Sequence, residues 1–184
     1  MFKKSLKNNP SKKFSTNTGF TLIEALVAIS ILMVAVVAPI TIAQKGLSSA
    51  IYTKNQMIAS YLAQDGIEYV KNKRDENILL NKTTPTDWLE GLGNCLNSNI
   101  CAVDTKYESI GRIIELETQV LKREKDINDK FEFYGYDTGD ETSFTRSVNI
   151  QEIILDQEAL INVVVRWDDD TDNKVDVSTL IYNY

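Results

Sequence analysis

The chain contains no histidine. That absence excludes imidazole acid–base catalysis, Ser-His and Cys-His nucleophile pairs, and every metal site that uses a His ligand. Cysteine is nearly as scarce. Cys95 and Cys101 are the only two, too few to complete a typical zinc shell and spaced too widely for a Cys-x-x-Cys redox motif. Neither a Gly-x-x-x-x-Gly-Lys-Ser/Thr loop nor a Gly-x-Gly-x-x-Gly turn occurs, so the usual phosphate cradles are missing. Positive charge is in deficit, with a net of -6 over 184 residues, which speaks against a surface built to grip nucleic acid. What is present suffices for a folded core: 43% hydrophobic and 25% charged residues, in a length that suits one domain with an appendage.

Charge is also unevenly spread. The first 19 residues carry Lys3, Lys4, Lys7, Lys12 and Lys13 and no acid, and the remainder carries 15 basic against 26 acidic residues. Behind this basic head lies a run without any charge, Ala25 to Gln44, 20 residues whose only polar side chains are Ser30, Thr41 and Gln44. At about 1.5 Å per helical residue such a run spans roughly 30 Å, the hydrocarbon thickness of a bilayer. It is apolar on all faces, unlike a helix that lies on a membrane surface. The run is longer than a secretory signal's apolar region, and Ala38-Pro39-Ile40 makes a poor cleavage site. The lysines ahead of the span and the acidic body behind it place the N-terminus in the cytoplasm and the body outside, with membrane lipid as a partner of the helix.

A plain signal anchor would satisfy all of this except for Gly19-Phe20-Thr21-Leu22-Ile23-Glu24. A carboxylate at the mouth of an apolar membrane helix is costly, up to about 2.5–3.5 kcal/mol if it reached the helix centre. The hexapeptide resembles the processing site of type IV prepilins and of type II secretion pseudopilins. The resemblance implies cleavage after Gly19 by a prepilin peptidase, N-methylation of Phe20, and a role for Glu24 in subunit assembly. It implies as partners other pilin or pseudopilin subunits and an inner-membrane assembly platform, with the filament or cell surface as the final location. The likeness extends over about residues 14–70. Two departures bear on subtype: the leader ends Asn17-Thr18-Gly19 without a basic residue before the glycine, and the helix proline lies at Pro39. Ala63-Gln64-Asp65-Gly66-Ile67-Glu68 also resembles a stretch common in pilin-modification and minor pilin-like proteins.

Helical periodicity continues past the span. Leu47, Ile51, Ile58, Leu62 and Tyr69 are spaced as one apolar stripe, which predicts a single helix from about Phe20 to about Asp75 with an amphipathic second half that packs on a sheet. Pro39 and Gly46 are weak points within it, one lacking a donor and the other adding backbone freedom. Residues 76–106 read as a loop region, with Thr83-Thr84-Pro85-Thr86-Asp87 as turn chemistry. A body outside the cytoplasm favours a small-loop disulfide between Cys95 and Cys101, with free buried thiols as the alternative.

Residues 107–141 are ambiguous between strand and helix, and Lys122-Arg123-Glu124-Lys125-Asp126 reads as a solvated face or loop. Beyond them the pattern is clear. Phe144, Val148, Ile150 and Ile154 share one parity, as do Ile161, Val163, Val165 and Trp167, and then Val175, Val177, Thr179 and Ile181. Three strands of period two with short connections make an antiparallel meander. The expected class is therefore α+β: a long N-terminal helix, membrane-spanning in its first half, packed on a C-terminal antiparallel sheet, as in pilins. The expected division is a leader over 1–19, a membrane half-helix over 20–45, and a head over 46–184.

One acidic cluster remains. Asp168, Asp170 and Asp172 copy the start of an EF-hand loop, but Asn173 stands where that loop needs Gly and Thr179 where it needs Glu. An acidic hairpin turn is the simpler reading, with a calcium site of another geometry as the alternative, since some pilin-like heads bind calcium in a late loop. No other cofactor and no catalytic residue is expected. The expected function is that of a minor pilin or pseudopilin. The rivals are a signal-anchored extracytoplasmic binding domain that never enters a filament and a membrane-tethered hydrolase using the acids of 168–176.

Overall fold

The computed structural model describes residues 19–81, 87–105, 113–114, 120–125, 132–168 and 172–184. One helix, α1, runs from Leu22 to Asn81. A 3-10 turn at Gly93–Cys95 follows, and then seven strands: β1 (Ala102–Val103), β2 (Ile113–Ile114), β3 (Val120–Lys125), β4 (Glu132–Gly135), β5 (Asp140–Ile154), β6 (Glu158–Trp167) and β7 (Lys174–Tyr182). β1 and β2 pair with each other, and the other five form a sheet in the order β4-β3-β5-β6-β7, with every pairing antiparallel. The α+β, pilin-like class expected from the sequence is the one observed. The chain divides into two compact units, Met1–Ser48 and Ser49–Tyr184.

In the first unit, α1 depends on no neighbour. Thr21 caps it: the Glu24 N–H donates to Thr21 Oγ1 at 3.3 Å and the Ala25 N–H to the Thr21 carbonyl at 3.1 Å. Thr21 and Glu24 stand at the Ser/Thr-x-x-Glu spacing of a capping box. Two of the three polar side chains in the span turn inward on the backbone, Ser30 to the Leu26 carbonyl at 2.8 Å and Thr41 to the Val37 carbonyl at 3.0 Å. That is how a hydroxyl is satisfied where no water is available. The helix continues through Pro39 and Gly46.

In the second unit, α1 buries a face made largely of small residues: Ala59, Leu62, Ala63, Gly66, Ile67 and Val70, followed by Arg74 and Asn77. This corrects the expected stripe. Leu47 and Ile51 are exposed, Ile58 and Tyr69 are half-buried, and of the five only Leu62 is buried. The reason is close approach. A Cβ on Gly66 would sit 3.3 Å from Arg146 Cδ and 3.4 Å from a Val163 methyl, so the contact line runs through Ala59, Ala63 and Gly66 as well as through Leu62, Ile67 and Val70. Opposite lie Val148, Ile150, Ile161, Val163, Val165, Trp167 and Ile181 of β5, β6 and β7, all buried. α1 also outlasts its expected end at Asp75 by six residues, to Asn81. There buried Asn77 donates to the Trp88 and Glu90 carbonyls at 3.1 and 2.9 Å and ties the following turn to the helix.

The meander stands as expected, with one exception. The register shifts between Glu152 and Ile154, and an extra residue in β5 reverses the side-chain alternation. Ile154 is accordingly 46% exposed and does not share the core parity of Phe144, Val148 and Ile150. Where it is described, the ambiguous region is strand apart from the bend at Tyr136–Gly139, and Lys122–Lys125 lie in β3 and not in a loop. Gly139 makes the β4–β5 turn possible: at φ +112° it passes so near the Arg123 backbone that a Cβ would meet the carbonyl oxygen at 2.5 Å.

Candidate processing and assembly site

Gly19, Phe20 and Thr21 precede the first residue of α1, and the Gly19–Phe20 bond, where the resemblance implies cleavage, lies only two residues before it. Gly19 has no neighbouring atom within 4 Å of where a Cβ would be, and Phe20 is 83% exposed. A peptidase must draw an extended substrate strand into its cleft. The Thr21 cap starts the helix at Leu22 and leaves the two residues that flank the bond non-helical. Glu24 lies in the first turn, where the helix dipole favours a negative charge. This gives the carboxylate a local structural reason in addition to the assembly role implied by resemblance.

Residues 15–38 match the family model described as the prokaryotic N-terminal methylation motif. It is the signature of type IV prepilin-type sequences, and it covers both the hexapeptide and the first half of the apolar run. No curated protein and no solved structure matches the chain. The motif together with the observed fold supports a type IV pilin-like precursor. α1 also contains a stretch long and apolar enough to cross a membrane, none of it buried, which fits a membrane anchor.

The head contributes a disulfide and an ion pair between buried Arg146 and exposed Asp65. Cys95 and Cys101 are bonded, with Cα atoms 5.0 Å apart. Their loop is laced to β5: Cys101 and Val148 exchange N–H···O bonds of 2.9 and 2.8 Å, and the Asn97 N–H donates to the Ile150 carbonyl at 2.7 Å. Asn149 Nδ2 then donates to the Asn97 and Asn99 carbonyls at 2.6 and 2.7 Å. The bond therefore closes a loop whose backbone already extends the sheet.

Beneath it lies Arg146, 1% exposed. One guanidinium nitrogen, Nη1, donates to the Leu62 carbonyl at 3.1 Å and to Asp65 Oδ2 at 2.8 Å, and the other, Nη2, donates to the Val103 carbonyl at 2.5 Å. Helix, β1 and β5 thus meet on a single side chain. The Tyr136 hydroxyl donates to the Arg146 carbonyl at 3.5 Å, and the Tyr136 N–H faces Asp104 Oδ2 at 3.4 Å. Burial pushes the Tyr136 phenol above its ordinary value, the Arg146 guanidinium pulls it back, and Asp104 adds to the rise. The half-buried Tyr69 is raised as well, by burial first and then by Glu76 and Asp104. Periodicity did not single out Arg146, yet a signal exists. It holds the core parity between Phe144 and Val148, where a charge needs a partner.

The acidic cluster takes the form of a turn. Asp168 (φ +62°) and Asp172 flank residues 169–171, so Asp170 lies outside the described residues. The turn is closed by the Trp167 N–H on the Asn173 carbonyl at 3.1 Å. Asp176 lies within β7 and accepts a bond from Asn162 Nδ2 at 2.6 Å. Among the described residues no three His, Cys, Asp or Glu side chains are gathered as a metal would need.

Proposed function

We propose that this chain is a minor pilin or pseudopilin, cleaved at Gly19–Phe20, methylated on Phe20, held in the inner membrane by α1 and then packed into a filament through that helix. The observation that carries this reading is the methylation motif over residues 15–38 running into the uncharged stretch Ala25–Gln44 of α1. The role is mechanical and not catalytic, in keeping with a motif family that is structural. The five leader lysines favour a cytoplasmic N-terminus, and the Cys95–Cys101 bond suits a head outside the reducing cytoplasm. The partners are a prepilin peptidase, sibling subunits and a membrane assembly platform. No cofactor is needed for this role.

Glu24 acts in assembly and not in cleavage. Once the leader is gone, Phe20 carries a basic amine with an ordinary pKa of about 7.7–8.0. In a filament core that ammonium needs a counter-charge. Glu24 is the only acid between Phe20 and Gln44. A neighbouring subunit displaced along the axis would bring its own amine to this carboxylate, which makes the pair a register device as well as an attraction.

The experiment compares Glu24→Gln with Gly19→Leu in the native membrane. Intact mass of the wild type should show loss of residues 1–19 and gain of one methyl. Glu24→Gln should be cut normally and be depleted from filaments, whereas Gly19→Leu should remain uncut. A mature chain that keeps its leader and stays in the membrane would instead support a signal-anchored binding domain.

A further inference from the structure

The head contains a cavity that neither processing nor filament packing through α1 uses. Its volume is about 430 Å³, and Ile58, Tyr61, Leu62 and Asp65 of α1, Thr105 after β1, and Phe133 and Tyr134 of β4 line it. That size falls within the range of small-ligand and side-chain pockets. Leu62 is buried, whereas Tyr61 and Phe133 are 65% and 49% exposed. Both rings offer apolar faces to solvent.

Chemistry at the polar end of the cavity is asymmetric. Asp65 Oδ2 accepts both its ion pair from Arg146 at 2.8 Å and the Thr105 hydroxyl at 2.5 Å. Asp65 Oδ1 accepts no bond among the described residues, although the side chain is only 47% exposed. The Thr105 proton is committed to Asp65, so this end presents an acceptor without a matching donor. Charge agrees: the chain beyond Gly19 carries 15 basic and 26 acidic residues, so a cationic partner is favoured over an anionic one.

An apolar floor, three aromatic rings and one open carboxylate oxygen are the elements that recognise a cation on an apolar stem. The geometry points to a binding site for a lysine or arginine side chain of a partner protein, whose stem lies on Ile58 and Leu62 while its charged head meets Asp65 Oδ1 between the aromatic faces. A sugar would also meet the Tyr61 and Tyr134 hydroxyls, but it brings no positive charge to the carboxylate, which is what favours a cation. The site is independent of the pilin reading, since it requires only the folded head.

The test uses the full-length chain in lipid nanodiscs, with isotope-labelled isoleucine and leucine methyls read by NMR. Nα-acetyl-arginine amide and Nα-acetyl-lysine amide are the cationic probes. The citrulline analogue is the neutral isostere, and methyl glucoside stands for sugars. At least one cation should shift the Ile58 and Leu62 methyls saturably and bind roughly tenfold more tightly than citrulline. Replacing both exposed rings (Tyr61→Ala with Phe133→Ala) should weaken that binding roughly tenfold, while the remaining methyl spectrum certifies an intact head. No saturable shift, equal binding of citrulline, tighter binding of the glucoside, or indifference to the double substitution would each overturn the assignment.

Discussion

The two halves of α1 are one element in secondary structure and two in physical support. From Gly19 through Lys54 every residue is exposed, and the polar groups of that stretch are met by the helix itself, through Thr21, Ser30 and Thr41. From Ala59 onward the helix depends on neighbours, with small residues against the sheet and Asp65 and Asn77 reaching across to other elements. An all-apolar surface demands lipid or other helices to cover it, and a one-faced surface demands a sheet. The comparison teaches that continuity of hydrogen bonding says nothing of what stabilises a helix, since one half borrows its environment and the other carries its own.

Leucine truncation in each half tests this most severely. Leu62→Ala removes a side chain that is 4% exposed, whereas Leu32 is 64% exposed. Leu62→Ala should cost the head about 2–5 kcal/mol, as buried leucines usually do. Leu32→Ala should stay within about 0.5 kcal/mol. Trp88 and Trp167 are both buried in the head, so their fluorescence during denaturant unfolding in nanodiscs reads the head alone. Equal losses from the two substitutions would mean that the halves are one cooperative unit.

The Cys95–Cys101 bond belongs wholly to the second unit and should come next in size. Chain-entropy arguments for a loop this short give about 2–2.5 kcal/mol. The double substitution to alanine should lower the tryptophan-detected midpoint by that amount and leave cleavage at Gly19 untouched. Labelling of either cysteine by a thiol reagent in the native, unreduced protein would contradict the bond itself.

How much of this was legible in the sequence depended on whether the signal was local. The methylation motif and the period-two strands are written in consecutive residues: the motif is matched over residues 15–38, and the three strands are observed with Ile154 as the exception. The buried face of α1 was misread because the stripe was sought among large apolar residues. Close packing onto a twisted sheet selected Ala59, Ala63 and Gly66, which carry almost no hydrophobic weight. The tail of the helix, Glu76–Asn81, mixes Ile78, Leu79 and Leu80 with polar residues and falls outside the large-residue stripe; its place is held by Ile78 against the core and by Asn77 through bonds to carbonyls 11 and 13 residues away. The Arg146–Asp65 pair joins positions 81 residues apart, a pairing that no local pattern announces.

Glycines sharpen the comparison at smaller scale. Gly46 has no atom within 4 Å of where a Cβ would be, whereas at Gly66 that Cβ would press on Arg146 and Val163 at 3.3 and 3.4 Å. Gly46→Ala should therefore act through helix propensity alone, favouring the helix by about 0.5–1 kcal/mol, and should leave the head's unfolding midpoint unchanged. Gly66→Val adds a Cβ and two methyls to an occupied space and should destabilise the head by about 1–3 kcal/mol. A tolerated Gly66→Val would show that α1 can lift off the sheet without loss.

The smallest effect is visible only at high pH, and only in the second unit. Tyr136 is 2% exposed, and burial holds its phenol above the ordinary value of 10.0, against the pull of the Arg146 guanidinium and with a further push from Asp104. Below about pH 10 the phenol is neutral in both folded and unfolded chains, and its ionisation makes stability no steeper in pH. Above that value the unfolded chain releases the proton first and the folded chain holds it. The unfolded state therefore binds fewer protons, and stability falls with rising pH until the folded phenol also ionises. Tyr136→Phe cannot ionise and should lose this portion of the alkaline decline. At pH 7 it forfeits only a long hydrogen bond to the Arg146 carbonyl and should be within about 1 kcal/mol of the wild type. The stability gap between the two chains should thus narrow or reverse between pH 7 and pH 10.5, followed by the same tryptophan fluorescence. Parallel curves across that interval would mean that the Tyr136 phenol is hydrated in the folded head, which would remove the buried polar junction from the comparison.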